Sequence, residues 1–244
     1  MGDLFHDDLG FSPGQKVLEV GCGVGGQTVL LAKKWPDTEF VSIDKEVAFI
    51  RQASEHLEKA HVDNVGLQHA DIMSLPFDKE SFDHIYVCFV LEHLACPVDA
   101  LFNLNDVLKT GGTITVVEGD HDSFFCHPNN NDARKVVDCL TKLQAMCGGN
   151  ALIGRELYPL LTATDFCKVS VKPKSMYVDS SRPDLIENFS KSTLIGVLEE
   201  IKDQALACNL IDSDQWRKGI DALYRSTEVD GTLCYTFFKA QAMK

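Results

Sequence analysis

Short apolar runs alternate with amphipathic stretches along the first half of the chain. Five of these runs have the length of strands, at 16–20, 39–44, 65–70, 84–89 and 113–118. Between them, recurring apolar positions predict helices at 26–35, at 46–60 and from Pro97 to the glycine pair at 111–112. This alternation predicts an α/β protein with a doubly wound, mostly parallel sheet.

The second half has a looser pattern. Residues 119–131 are polar and contain proline and asparagine, which predicts a long functional loop. The later elements are predicted as helices at 132–147 and 154–163, a strand at 167–178, two helices within 182–226 and a strand at 232–239. We expect residues 1–244 to form a single domain, with a helical cap at 182–230 inserted before the last strand.

The first strand runs directly into a turn rich in glycine, VLEVGCGVGGQT. Glycines at such a turn let the backbone approach a ligand where a Cβ would block it. Gly21, Gly23 and Gly26 fit the dinucleotide-binding pattern G-x-G-x-x-G. Glu19 with Gly21, Gly23 and Gly25 fits the E-x-G-x-G-x-G of S-adenosylmethionine (SAM) methyltransferases. The turn alone therefore indicates a nucleotide-like cofactor and leaves two candidates.

Two acidic residues bear on that choice. Asp44 ends the second strand 18 residues after Gly26, where a carboxylate meets the ribose of an adenosine-containing cofactor. Glu19 disfavours a pyrophosphate, which needs positive potential at the helix N-terminus. The sulfonium and amino cations of SAM suit an acidic pocket, so the sequence favours SAM.

Five segments together resemble the successive motifs of class I SAM-dependent methyltransferases, in particular the small-molecule branch with the ubiquinone/menaquinone methyltransferases. They are VLEVGCGVGGQT, FVSID, HADIMSLPF, FDHIYVCFVLEHL and LKTGGTITVVEGD. The resemblance implies a Rossmann-like seven-stranded sheet of order 3-2-1-4-5-7-6, with strand 7 antiparallel. It also implies methyl transfer by in-line displacement to an O, N or C atom of a small molecule, with S-adenosylhomocysteine as product.

The resemblance also assigns cofactor contacts to the strand ends. In the family, the glycine loop holds the methionine part, the acid after strand two binds the ribose, an acid–apolar pair flanks the adenine, and the end of strand four lines the floor. The matching positions are, in that order, Gly21, Gly23 and Gly25, then Asp44, then Asp71 with Ile72, then Cys88 with Phe89. Neighbouring candidates are Glu19, Cys22, Gln27, Thr28, Lys45 and His93.

Polar residues after strands four and five are candidates for the acceptor side. We expect Glu92, His93 and His121 to be catalytic, since histidine titrates near neutrality and a protonated acceptor needs a general base. No metal site is predicted, because the spacing of the acids, cysteine and histidines in 120–127 fits no pattern of metal ligands. The candidates for lining an acceptor pocket are Met176, Tyr177, Phe189, Trp216 and Tyr224, although the pattern favours a core position for each.

Two alternatives stay open. Tyr235 and Lys239 match the Tyr-x-x-x-Lys pair of NAD(P)-dependent reductases, but that pair needs a helix. The alternating pattern here predicts a strand, which would separate the two residues by about 13 Å at ~3.3 Å per residue. A catalytically silent SAM-binding module is the other alternative, favoured by the short segment before the first strand.

Charge and cysteine content narrow the partners. The net charge of −13, without a basic run, argues against nucleic acid. Cys88-Phe89-Val90-Leu91 stands where methyltransferases of adenine or glutamine carry (N/D)-P-P-Y. Nine scattered cysteines without C-x-x-C predict reduced thiols in a cytoplasmic protein. No apolar run approaches the ~20 residues of a membrane span.

Overall fold

Seven strands form one mixed sheet in a computed structural model that describes residues 2–244. The strand order is β3-β2-β1-β4-β5-β7-β6, and β7 runs antiparallel to both of its neighbours. This order and the α/β class confirm the prediction. The strands are β1 (Lys16–Val20), β2 (Glu39–Asp44), β3 (Val65–His69), β4 (Phe82–Cys88), β5 (Leu108–His127), β6 (Cys167–Asp179) and β7 (Thr232–Met243).

The helices lie on both faces of this sheet. They are α1 (Gly2–His6), α2 (Gly26–Lys34), α3 (Val47–Ala60), α4 (Pro97–Val107), α5 (Asn131–Met146), α6 (Leu157–Thr162), α7 (Pro183–Leu185), α8 (Gly196–Glu200), α9 (Lys202–Ala207) and α10 (Ser213–Arg225). Two 3-10 turns occur at Leu91–His93 and Ile153–Glu156, and a π-helix occupies Ile186–Ile195. The sequence pattern does not predict α1.

Each face of the sheet buries its own apolar cluster. Val17, Phe40 and Tyr86 belong to the cluster beneath α2, α5 and α10. Leu18 and Ile85 belong to the cluster beneath α4 and α6. Successive residues of a strand point to opposite faces, so β1 at the centre of the sheet places Val17 in one cluster and Leu18 with Val20 in the other. The parallel strands all end at one edge, where the cavities described below open.

The predicted loop at 119–131 is wrong, because β5 continues to His127. Its extension pairs with the start of β7, from Phe125↔Cys234 to His127↔Thr232. A register shift between Asp120 and Phe125 accommodates the polar residues as a bulge. There the Ser123 hydroxyl accepts from the Thr236 amide at 2.9 Å. Local polarity suggested a loop, whereas pairing with a distant strand decides the structure.

The stretch predicted as two helices has an irregular first half. It runs from Pro183 through the π-helix to Ala207, and α10 follows. Side chains favour the wide turn: the Ser192 and Thr193 hydroxyls each donate to the carbonyl five residues earlier at 2.7 Å. In α10, Gly219 allows close packing on α5, since a Cβ would lie 2.5 Å from a backbone oxygen of Asp132.

The nine cysteines are free thiols. Within residues 2–244, no helix is both long enough and apolar enough to cross a membrane.

Candidate functional site

The glycine turn folds over the end of β2. The φ angles of Gly21, Gly23 and Gly25 are 71°, 52° and 86°, in the left-handed region that favours glycine. At Gly21 a Cβ would also lie 2.3 Å from a methyl carbon of Val90. The Gly21 amide donates to the Ile43 carbonyl at 2.8 Å, which fixes the turn against the neighbouring strand. Gly21 therefore allows close packing on Val90, whereas nothing lies within 4 Å of the place that a Cβ at Gly23 would take, so the backbone there is open.

Asp44 connects the turn to the next helix. One carboxylate oxygen accepts from the Gly23 amide and the other from the Glu46 amide, both at 2.9 Å. The residue is only 8% exposed and lies on a cavity wall. Each carboxylate oxygen can accept a second hydrogen bond, so the side chain is fixed in place with acceptor capacity left.

A cavity of about 620 Å³ opens at the ends of β1 to β4, and we call it the glycine-turn cavity. The sequence-predicted residues on its wall are Gly21, Gly23, Asp44, Lys45, Asp71, Ile72, Phe89 and His93. The residues that the sequence reasoning missed are Val20, Ile43, Glu46, Phe49, Ala70, Met73, Val90, Leu94, Ala95 and Cys96. Most of these residues are sequence neighbours of a predicted residue. Their position next to the predicted strand ends could therefore have indicated them.

Six residues that the sequence predicts as cofactor contacts do not line this cavity, whose wall is formed by residues within 2–244. They are Glu19, Cys22, Gly25, Gln27, Thr28 and Cys88. Glu19 is 2% exposed and accepts from the Ser42 hydroxyl at 2.6 Å, so its carboxyl connects β1 to β2 beneath the turn. Burial raises the pKa of Glu19. Burial beside Glu19 and Asp44 raises the pKa of the Cys22 thiol to about 12.

A second cavity of about 470 Å³ lies between the sheet, α5 and the helices that follow β6, and we call it the apolar cavity. Most of its wall is hydrophobic, formed by Phe89, Leu140, Leu143, Phe189, Leu194, Val197, Ile201 and Phe237. Its polar groups are Glu92, His93, His121, Gln144, Thr193, Gln204 and Tyr235. Phe89 and His93 line both cavities and form a shared wall.

Phe89 has a strained backbone at this shared wall. Its φ is 57°, and its amide donates to the Val117 carbonyl at 2.9 Å. For a residue with a Cβ, the left-handed region costs about 1–2 kcal/mol. Such strain persists where the surroundings fix it, often at a functional site. Here the strained backbone places the ring between the two cavities.

The three predicted catalytic residues converge on the apolar cavity. The two carboxylate oxygens of Glu92 lie 3.6 Å from His93 Nε2 and 3.8 Å from His121 Nε2. Gln144 donates to the Glu92 carbonyl at 3.1 Å. Burial opposes ionisation of Glu92, but its contact with His121 and the charges of both histidines hold its pKa below the usual range. This carboxylate is therefore ionised beside an apolar space.

Glu118 supports the turn that carries Glu92 and His93. It is fully buried, and one oxygen accepts from the amides of Val90 and Leu91 at 3.0 and 2.7 Å. Its other oxygen has no hydrogen-bond partner among the described residues. Burial and the nearby Glu92 carboxylate raise the pKa of Glu118 well above its ordinary value. The two acids therefore differ in the direction of their pKa shift: the pKa of Glu118 is raised and that of Glu92 is lowered.

The acids of the β5 bulge are paired with arginine. Arg155 donates to both carboxylate oxygens of Asp120 at 2.7 Å and to Asp122 at 3.3 Å. The His121 amide between them donates to the Ala151 carbonyl at 3.1 Å. Within residues 2–244, no three His, Cys, Asp or Glu side chains are grouped to hold a metal ion. The bulge therefore presents His121 while its acids are neutralised.

Of the five residues predicted to line an acceptor pocket, the structure places Phe189 there. Met176 and Trp216 are buried in the core, and Tyr177 and Tyr224 are exposed. Met176 and Trp216 thus have the core position that the pattern favours, whereas Tyr177 and Tyr224 line neither the core nor the cavity. Helical and strand periodicity gives a buried face but not which cavity it meets.

Tyr235 is the main residue that sequence reasoning missed. Its ring lies 5.5 Å from that of His121, and a Cβ at Gly119 would lie 2.5 Å from its hydroxyl oxygen. Tyr235 and Lys239 both belong to β7, which confirms the predicted strand. The helical setting that the reductase pair needs is therefore lacking. The alternation of Tyr235 and Phe237 along that strand was the only available signal.

Residues 17–112 match the model of a family described as methyltransferase domain. The match covers the glycine turn and the first four strands. The demethylmenaquinone methyltransferase of Staphylococcus aureus is 37% identical over 112 residues, 46% of this chain and 46% of that protein. The chain thus spans less than half the length of the curated relatives it matches. The predicted resemblance to class I SAM-dependent methyltransferases is confirmed.

Solved structures share the fold. Phosphoethanolamine N-methyltransferase 2 of Haemonchus contortus, with S-adenosylhomocysteine, has a TM-score of 0.61 and 14% identity, covering 99% of this chain and 52% of that one. The YcgJ protein of Bacillus subtilis has a TM-score of 0.60 and 16% identity, covering 95% of this chain and 92% of that one. The [4+2]-cyclase SpnF has a TM-score of 0.64 and 18% identity, covering 100% of this chain and 79% of that one. At these identities the likeness shows the fold alone, and one fold serves different reactions.

Proposed function

We propose that this chain transfers a methyl group from SAM to a small, largely apolar acceptor. SAM would occupy the glycine-turn cavity and the acceptor would occupy the apolar cavity. The observation that carries this proposal is that Phe89 and His93 line both cavities, so that a cofactor-sized space lies directly beside an apolar one. Much of the rate of an in-line displacement comes from such alignment of two reactants.

The residues of the glycine-turn cavity fit SAM. Gly23 leaves the backbone bare, Asp44 keeps acceptor capacity for ribose hydroxyls, and Asp71 with Ile72 stands where adenine would lie. When bound, SAM supplies an activated methyl group for displacement by a nucleophile. Glu19 and Cys22 lie behind this wall, so their role here is to support the turn.

The apolar cavity fits a neutral acceptor with an aromatic ring. Phe89, Phe189 and Phe237 offer ring faces and edges to such a molecule. The matched relative is named for demethylmenaquinone, which supports an acceptor of similar chemistry. If the acceptor is protonated, Glu92 takes the proton on a carboxylate oxygen, and His93 and His121 stabilise the charged carboxylate beforehand.

The helices after β6 would form the cap of this acceptor site. Phe189, Thr193 and Leu194 of the π-helix line the apolar cavity, and so do Val197 and Ile201 after it. We therefore interpret 182–230 as a cap within one methyltransferase domain of 1–244. The net charge of −13 favours a small-molecule partner over nucleic acid, and the free thiols favour the cytoplasm.

Isothermal titration calorimetry of the full chain with SAM, S-adenosylhomocysteine and NAD tests the cofactor. We expect one site for SAM and its product, and no heat with NAD. Tight NAD binding without SAM binding would contradict the proposal. Release of S-adenosylhomocysteine with a pool of small aromatic metabolites then separates a transferase from a catalytically silent SAM-binding module, which releases none.

A further inference from the structure

Lys239 of the apparent reductase pair has a separate task in the structure. Its side chain is 1% exposed and lies on the same face of β7 as Tyr235. The ammonium group donates to the Phe5 carbonyl at 2.5 Å, lies 3.5 Å from Asp7 and contacts Asp8 directly. A buried ammonium group needs such partners, because its desolvation is costly. Lys239 therefore binds Phe5–Asp8, which we call the N-terminal segment, to the sheet.

Four more contacts hold the same segment. They are Lys174 to Asp7 at 2.6 Å, Lys172 to Asp8 at 3.7 Å, Lys34 to the His6 carbonyl at 2.7 Å and His6 Nε2 to the Tyr86 hydroxyl at 3.2 Å. Their partners come from α2, β4 and β6. Lys239 is the most buried of the three lysines that pair with the segment's acids. The segment is thus attached on several sides, with Lys239 at the centre.

Phe5 lies directly behind the wall of the apolar cavity. It is fully buried, and its ring packs edge-on at 5.7 Å from Phe89 and 5.1 Å from Phe237. Both of these rings line the apolar cavity, and Phe89 lines the glycine-turn cavity as well. Phe5 supports the two rings from the side that faces away from the apolar cavity. The strained backbone of Phe89 requires support of this kind to persist.

We propose that Lys239 and Phe5 are positioning residues for the acceptor site. Lys239 fixes the N-terminal segment, and Phe5 fixes the rings of Phe89 and Phe237 and thereby the depth of the apolar cavity. The role in acceptor choice rests on the proposed function, whereas the mechanical coupling does not. Loss of the Phe5 ring leaves a void behind the wall, which the two rings enter, and the cavity deepens.

Amide hydrogen exchange of the full chain tests the coupling without any ligand. The reporters are the amides of Phe89, Val90 and Leu91, which donate to Val117 and Glu118 of β5. In Phe5→Ala we expect these amides to exchange at least about fivefold faster, because the wall opens locally. Lys239→Met, which keeps volume but loses the anchor, should do the same.

Phe11→Ala is the matched control. Phe11 also precedes β1, but it packs on Trp35, Phe40 and His84, away from both cavities. We expect its loss to leave the three reporter amides unchanged. Unchanged reporters in Phe5→Ala, or equal acceleration in Phe11→Ala, would overturn the proposal. If Phe5→Ala does not fold, Phe5→Leu loses the ring but keeps most of the volume and takes the same measurement.

Binding of 2-naphthol, measured by calorimetry, tests the depth of the cavity. Apolar voids accept aromatic molecules, so Phe5→Ala should bind this probe about tenfold more tightly than the natural chain. Equal affinity, or no binding to either protein, would contradict the claim about depth. A natural chain that does not bind SAM would refute the proposed function, and the exchange result would still decide the coupling.

Discussion

The two cavities meet at Phe89 and His93 but are built in different ways. The glycine-turn cavity uses residues 20–96, and most of its groups stand at the end of a parallel strand or in the turn after it. The apolar cavity combines the turn after β4 with β5, α5, the π-helix and β7, and its wall spans 148 residues from Phe89 to Phe237. The cofactor half is therefore local in sequence, whereas the acceptor half exists only after the whole chain has packed.

The largest effect expected is on the glycine-turn cavity alone. Asp44→Ala should weaken SAM binding at least about 100-fold, because it removes two hydrogen bonds to a carboxylate of about 1.5–3 kcal/mol each. Calorimetry with SAM measures the loss. Asp44→Asn keeps one acceptor oxygen and should lose less. Unchanged SAM affinity in Asp44→Ala, with the thermal unfolding midpoint preserved, would mean that Asp44 does not bind the cofactor.

The next prediction separates the two cavities. Glu92→Gln should lower turnover about 100-fold, as expected for loss of a general base, while SAM affinity stays within about twofold. Turnover of the natural chain should persist as the pH falls until it passes the lowered pKa of Glu92, below the ordinary 4.5. Release of S-adenosylhomocysteine measures the rate. A parallel loss of SAM affinity would contradict a separate acceptor site.

The buried acid beneath the apolar cavity should leave a signature in stability. The raised pKa of Glu118 keeps it protonated in the folded chain at pH values where the unfolded chain has lost that proton. Its contribution is complete below the ordinary pKa and is lost as the pH rises towards the raised one, by about 1.4 kcal/mol per pH unit.

Glu118→Gln keeps an oxygen that accepts from Val90 and Leu91 but does not titrate. The free energy of unfolding, measured in urea, should decline less steeply in this variant than in the natural chain as the pH rises from 5 to about 8. An identical pH dependence in both proteins would show that Glu118 is ionised in the folded chain.

The smallest effect should fall on the apolar cavity alone. Phe189→Ala removes a ring that is 3% exposed and should raise the acceptor KM about fivefold, since aromatic contacts contribute about 0.5–1.5 kcal/mol. SAM affinity should not change. Phe125→Ala, at a ring on β5 that is 56% exposed and lines neither cavity, is the surface control, and an unchanged thermal unfolding midpoint in Phe189→Ala shows that the fold is kept. Equal effects of the two substitutions would place Phe189 outside the acceptor site.

The same contrast explains what could be predicted. Strand ends, the glycine turn and Asp44 follow from local patterns, because parallel strands bring consecutive motifs to one edge. Glu19 shows the limit: its identity fits an acidic pocket, but its side chain is turned towards Ser42 of the neighbouring strand. The direction of a side chain at a strand end depends on register and on neighbours, which a single sequence does not specify.

The acceptor side shows a second limit. The bulge at 120–125 was predicted as a loop, because the partner that makes it a strand is more than 100 residues away. Tyr235 resembled half of a reductase pair, yet pairing with β5 places it over Gly119 and beside His121. Pairings over such separations set the acceptor site, and local pattern carries no record of them.

A crystal structure with S-adenosylhomocysteine tests the central claim most directly. The account predicts the ligand in the glycine-turn cavity, with its ribose hydroxyls bonded to Asp44 and its sulfur facing the wall formed by Phe89 and His93. A ligand bound in the apolar cavity, or a sulfur turned away from that wall, would contradict the transfer of a methyl group between the two cavities.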